Sequence, residues 1–217
     1  MSPDAPSAVA PQFEVAEQQA QAATLGLWIF LATELMFFGP LFFGYVYGRV
    51  HFPEAFAAAS RHADVALGTL NTALLLTSSF TMAAAVEARK QDAEKLAMRL
   101  LAATAVFGLV FLIVKGIEYR HEWEAHLFPG SAFVFPGPYA GGVRYFFFLY
   151  FAATGLHALH LMIGVAAMTI FAAGLARHAT AFSTPERIEL AGLYWHFVDA
   201  VWIFLYPILY LVGRAGG

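Results

Sequence analysis

The chain has 217 residues, of which 60% are hydrophobic and only 12% charged, with a net charge of −3 and no cysteine. A soluble domain is about 45–50% apolar and about 25% charged, so a mean hydropathy of +0.64 implies an apolar surface as well as an apolar core, with lipid as the solvent. The composition excludes thiolate-ligated iron–sulfur clusters, a covalently attached c-type haem and disulfides, and the slight acidity gives no reason to expect nucleic acid as a partner.

The first 23 residues read as a polar N-terminal extension. They carry Pro3, Pro6, Pro11, Glu14 and Glu17 but no Lys or Arg. A secretory signal needs a basic start and an early apolar run, so this segment is expected to be flexible or to lie on the surface. The rest, 24–214, is read as one membrane domain. Its apolar stretches cover about 25–48, 65–86, 100–117, 145–176 and 190–212, each near the roughly 20 residues that cross a bilayer. Backbone polar groups cannot be left unpaired in lipid, and the dyad alternation of a barrel is absent. The fold class is therefore all-α, a polytopic membrane helix bundle of about five transmembrane helices.

The loops follow. Arg49 to Asp64 is expected as a short connection containing Pro53, and Glu87 to Arg99 as a basic one. Glu118 to Arg144 is the longest and is rich in Pro and Gly. In Arg177 to Glu189, Ser183 and Thr184 before Pro185 form a helix-start signal. With the N-terminus inside, the inner loops hold Arg89, Lys90, Lys95, Arg99, Arg177 and Arg187, against Arg49, Arg61, Arg120, Arg144 and Arg214 outside. That bias favours a cytoplasmic N-terminus. Pro40 and Pro207 fall inside spans, where a kink is expected.

Ionisable groups at membrane depth are costly and face the bundle interior. Glu34 lies in the first span, His157 and His160 in the fourth, and His196 and Asp199 in the fifth; Lys115 and Glu118 lie near the end of the third. His157 and His160 share a helix face, as do His196 and Asp199. Glu34 has no basic residue within reach on its own helix, so a histidine of another helix, His157 or His160, is its expected partner. Lys115 either pairs with Glu118 or snorkels towards an interface. Each of these groups also has a plainer reading as a polar fastener between helices, as do Asn71 and the run Thr77–Ser79.

Several runs then carry a resemblance. They are Leu27-Trp28-Ile29-Phe30-Leu31-Ala32-Thr33-Glu34 in the first span, Leu70-Asn71-Thr72 and Leu76-Thr77-Ser78-Ser79 in the second, and Lys115-Gly116-Ile117-Glu118-Tyr119 ending the third. The fourth contains Thr154-Gly155-Leu156-His157-Ala158-Leu159-His160, and the fifth Tyr194-Trp195-His196-Phe197-Val198-Asp199. In this order, over about Leu25 to Gly213, they resemble subunit III of the haem–copper respiratory oxidases in its short, five-helix form.

The resemblance implies a subunit without redox metals of its own: haem and copper sit in partner subunits I and II, and this chain has no catalytic residue and no metal site. It implies packing against subunit I, phospholipid binding, and support of proton uptake and of turnover stability, in a bacterial inner membrane. Glu34 with the His157/His160 face matches the family's buried acid–histidine feature, and His196 with Asp199 its fifth-span signature. A Glu at position 34 fits the cytochrome c oxidases, since quinol oxidases carry Asp there. A quinol oxidase or a nitric-oxide-reductase accessory is the alternative within the family. Trp28, Arg49, His51, Glu54 and Arg61 are the lipid-binding candidates, with an ordinary interfacial belt as the plainer reading. Two functions of other classes are weighed beside this one. A small b-type cytochrome would need His157 or His160 opposed to His196. A proton-coupled transporter would be built on Glu34 and the histidines, although the chain lacks the internal repeats usual there.

Overall fold

The computed structural model describes residues 15–177 and 183–214. Its elements are α1 (Ala16–His51), α2 (Pro53–His62), α3 (Val65–Lys90), α4 (Glu94–Glu124), α5 (Ala140–Ala176) and α6 (Pro185–Tyr206). A π-helical turn, Pro207–Leu211, continues α6. Five of these helices, all but α2, are long and apolar enough to cross a membrane. The chain is an integral membrane protein, and among the described residues there is no strand.

The helices outrun the apolar stretches that announce them. At about 1.5 Å per residue, the 36 residues of α1 extend roughly 54 Å, well beyond a hydrocarbon layer of about 30 Å. Hydropathy reports the thickness of the layer, whereas backbone hydrogen bonding carries the helix on into headgroups and water. Thus α1 begins at Ala16, inside the segment expected as an extension, and only positions 1–14 of that segment lie outside the described residues. α4 likewise starts at Glu94 rather than near Leu100 and ends at Glu124. The expected connection from Arg49 to Asp64 contains a helix, α2. Pro53 occupies its first turn, where a missing N–H costs nothing, and Ala55, Phe56, Ala59 and Ser60 form its buried face.

Caps fix two starts. Asp64 accepts from the amides of Ala66 at 2.9 Å and Leu67 at 3.1 Å, opening α3. Thr184 accepts from the amide of Arg187 at 3.4 Å, opening α6 ahead of Pro185. At the same end of the bundle, the buried Arg89 at the close of α3 donates from Nε to the Ser183 carbonyl at 3.1 Å and pairs with Asp92 at 3.1 Å. It thereby joins the α3–α4 turn to the start of α6.

α3, α4, α5 and α6 pack on one another as a four-helix core, while α1 rests on α5, α6 and α2. Only 11% of the apolar window of α1 is buried, against 44% for α6 with its extension, so α1 is the peripheral helix. Trp195 of α6 is wedged where α4 and α5 are thinnest. A Cβ on Gly108 would lie 2.8 Å from its ring and one on Gly164 2.9 Å from it, so only glycine lets the backbones approach this far. Pro207 coincides with the π-turn, as expected for a residue that removes an N–H from the ladder. The carbonyls there gain side-chain donors: Tyr45 Oη donates to Ile208, and Ser60 Oγ donates to Leu209 at 3.0 Å. α1 and α2 are thus secured to the end of α6 by groups that lipid could not supply.

Candidate functional site: three polar sites in an apolar bundle

The first site joins α1 to α5. Glu34 Oε2 lies 2.8 Å from His160 Nε2. The other ring nitrogen, Nδ1, is 2.8 Å from the carbonyl of Leu156, one turn back. A carbonyl only accepts, so Nδ1 carries a hydrogen. The contact at Nε2 then requires a second proton, held either by a neutral Glu34 donating to a neutral ring or by an imidazolium donating to a carboxylate. Either way the pair is neutral overall and holds one proton that both partners can bind. Glu34 stands near the middle of α1, its side chain 17% exposed, and that of His160 is 10% exposed. Phe38 packs on the imidazole at 5.6 Å between centroids, and the Tyr194 hydroxyl donates to the His160 carbonyl at 2.9 Å. The structure thus selects His160, not His157, as the partner of Glu34. Spacing alone cannot make that choice, because two histidines three residues apart share one face.

His157 points elsewhere. Its ring packs between Phe111 and Trp202, at centroid distances of 5.4 and 5.1 Å, and among the described residues neither ring nitrogen has a hydrogen-bond partner.

The second site is closed. Lys115 and Glu118, one turn apart on α4, are 2% and 1% exposed. Lys115 Nζ donates to Glu118 Oε2 at 3.0 Å, to Tyr150 Oη at 2.9 Å and to Tyr210 Oη at 2.6 Å. Both tyrosine hydroxyls donate to Glu118 Oε1 at 2.7 Å. Every ammonium proton and both carboxylate oxygens are therefore used, and the two opposite charges lie in contact. The Lys115–Glu118 pairing is the local one; Lys115 does not snorkel. Tyr150 of α5 and Tyr210 of the π-turn are the members that sequence reasoning did not identify. Their one signal is that a tyrosine inside an apolar span needs a partner for its hydroxyl. Glu122 continues the same face of α4 and is 6% exposed.

The third site is the seam between α3 and α6. Four pairs run along it: Thr69 with Tyr206 at 2.6 Å, Thr72 accepting from Trp202 Nε1 at 3.1 Å, Ser78 accepting from Trp195 Nε1 at 3.1 Å, and Ser79 with His196 Nδ1 at 2.8 Å. From Thr69–Tyr206 through Thr72–Trp202 to Ser78–Trp195 the positions rise on α3 as they fall on α6, which is an antiparallel register, and Ser79–His196 lies beside the last of these pairs. Asp199 is 3% exposed, with the Ser79 hydroxyl beside its carboxyl, and Asn71 is fully buried; among the described residues the Asn71 amide has no hydrogen-bond partner.

The lipid-binding candidates divide. Trp28 is exposed on α1, 21 positions before Arg49 in the same helix and hence about 30 Å from it. It belongs to the other end of the bundle. Arg49 donates to the Pro53 carbonyl at 3.4 Å, the His51 ring stacks on Tyr47, and Glu54 accepts from the Tyr139 hydroxyl. Arg61 donates to the Gly213 carbonyl at 3.3 Å. A cavity of about 410 Å³ opens here, lined by His51, Glu54 and Tyr139 among others. Among the described residues no group of three or more His, Asp or Glu converges as a metal-ion ligand set.

The chain is similar to known proteins over most of its length. A family model described as cytochrome c oxidase subunit III matches residues 12–214. A cytochrome c oxidase subunit 3 from Alkalihalophilus pseudofirmus is 29% identical, with 88% of this chain and 87% of that protein covered. One from Artemia franciscana is also 29% identical, covering 87% of this chain and 68% of its own length. A probable quinol oxidase subunit 3 from Staphylococcus aureus is 26% identical over 87% and 88%.

Proposed function

This chain belongs to the cytochrome c oxidase subunit III family, and we propose that it serves as the third, non-redox subunit of a haem–copper terminal oxidase of the cytochrome c type. In this reading it packs against subunit I, binds phospholipid and sustains proton uptake during turnover, in a bacterial inner membrane with its N-terminus in the cytoplasm. Haem and copper are held by subunits I and II, and dioxygen reduction takes place there.

The observation that carries the reading is the Glu34–His160 pair. It lies at mid-depth and at the edge of the bundle, with some of each side chain open to whatever covers α1 and α5. A carboxyl and an imidazole sharing one proton form a neutral pair, in which the proton can pass from one partner to the other without leaving net charge in the membrane. The three histidines support a non-redox role. His157 is enclosed by Phe111 and Trp202, His160 is engaged with Glu34, and His196 with Ser79 on the far seam. A b-type haem requires two histidines projecting at each other from facing helices, and these three project to three different places. The outer-end cavity bordered by His51 and Glu54 suits a phospholipid headgroup, with Arg49 and Arg61 nearby in sequence for its phosphate.

The test is Glu34→Ala in the assembled oxidase. Haem content and initial rate should match the wild type, while activity should decay faster over many turnovers. A decay curve unchanged from wild type would remove Glu34 from the functional residues.

A further inference from the structure

Lipid can cover most of this molecule without cost, because the exposed face of α1 presents apolar side chains such as Leu35, Met36, Phe43 and Val50. One place differs. Ser79 and His196 lie on the outer edge of the α3–α6 seam and are only partly buried, in contrast to Ser78 and Trp195 on its inner edge. Ser79 satisfies His196 at Nδ1, and among the described residues Nε2 has no hydrogen-bond partner. Position 196 is near the middle of Pro185–Leu211, and position 79 near the middle of Val65–Lys90. Each is therefore roughly 15–20 Å from either end of its helix, too deep for headgroups or bulk water to serve the free nitrogen. Acyl chains offer neither donor nor acceptor. Around it the surface is built for a helix to approach: exposed Leu76 and Phe80 on α3 and Leu193 and Ile203 on α6 flank the small, exposed Ala83 and Ala200.

We propose that the outer α3–α6 seam is a docking site for a transmembrane helix of another oxidase subunit, one that presents a hydrogen-bonding side chain to His196 Nε2 at mid-membrane depth. This rests on the reading of the chain as an oxidase subunit, because the partner helix is supplied by that complex. Ser79 orients the ring by binding Nδ1, leaving Nε2 directed outward. The apolar flanks set the crossing of the incoming helix, and the imidazole sets its register, since an apolar surface alone would let it slide.

The experiment uses the complete oxidase purified through its haem-bearing subunits. His196→Leu keeps apolar volume but removes the hydrogen bond, and Ala200→Trp blocks close approach. Each should lower the amount of this chain retained through detergent washing, by about tenfold for loss of one membrane-buried hydrogen bond. Circular dichroism and thermal melting of the separately purified variants check that the bundle still folds. A photoreactive phenylalanine analogue at position 80, where the native ring is 75% exposed, should cross-link to another oxidase subunit, and His196→Leu should abolish that product. Wild-type retention of both variants, or cross-links only to lipid or to a second copy of this chain, would overturn the seam proposal while leaving the function intact. Failure of the wild-type chain to co-purify with any haem-bearing subunit would overturn the function reading, and the seam proposal with it.

Discussion

Two carboxylates in this bundle meet the same problem of ionisable chemistry in lipid, and the fold answers it in opposite ways. Glu118 is sealed. One lysine and two tyrosines use both of its oxygens, and those three groups are fixed by α4, α5 and the π-turn. Glu34 is met by a single imidazole, at the seam of the least buried helix. A saturated network has nowhere to send a proton beyond itself, because each donor already has its acceptor within it. A pair that shares one proton and retains some exposure can exchange it. In the proposed reading, the saturated network is a fastener and the Glu34–His160 pair is the site of proton exchange.

The comparison breaks most sharply at Lys115. Lys115→Met leaves the Glu118 carboxylate buried without its cation, a loss of about 3–5 kcal/mol. It should appear as a much lower melting temperature of the purified chain, and Lys115→Met with Glu118→Leu should recover part of it. Glu34→Ala, by contrast, removes one hydrogen bond at a partly open seam, about 1 kcal/mol, so its melting curve should nearly overlay the wild type. Between these lies Gly48→Ala. Its new Cβ would fall 2.2 Å from the Phe56 ring and 2.8 Å from Tyr145, forcing α1 away from α2 and α5 at about 1–3 kcal/mol, again read by thermal melting.

The smallest effect is expected at the exposed loop. The Tyr139 hydroxyl donates to the Glu54 carboxylate, which holds the phenol above its ordinary pKa of 10.0. A raised pKa favours the protonated, folded form. The contribution is therefore complete below about pH 10 and is lost as pH rises through the higher folded value. Tyr139→Phe should lower stability slightly at neutral pH, where the contribution is complete, and flatten the alkaline limb, so that variant and wild type converge as pH rises in a melting series.

Much of this contrast was legible in the sequence, and the rest was not for physical reasons. An acid in an apolar span with no basic residue within reach on its own helix identifies Glu34, since the cost of burying it demands a partner. The choice of His160 over His157 depends on how far α1 is rotated against α5, which no spacing on either helix encodes. Lys115 and Glu118 were visible as a pair three residues apart, but their closure was not. Tyr150 and Tyr210 come from helices distant in sequence, and tyrosine is equally at home at a membrane interface. α2 escaped notice because Ala-rich PEAFAAASRH has too little contrast to stand out between two strongly apolar spans. The free side of His196 is a property of the packed surface and has no signature in the fifth-span motif.

In the proposed reading Glu34 acts through its proton and not merely through its hydrogen bond. Glu34→Gln separates the two, because the amide can still donate to His160 Nε2 but has no proton to exchange. Sustained oxidase turnover with this variant is the direct measurement. Normal haem content, a normal initial rate, and activity that decays as fast as in Glu34→Ala are expected. Activity persisting as in the wild type would contradict that reading and make the Glu34–His160 pair one more fastener.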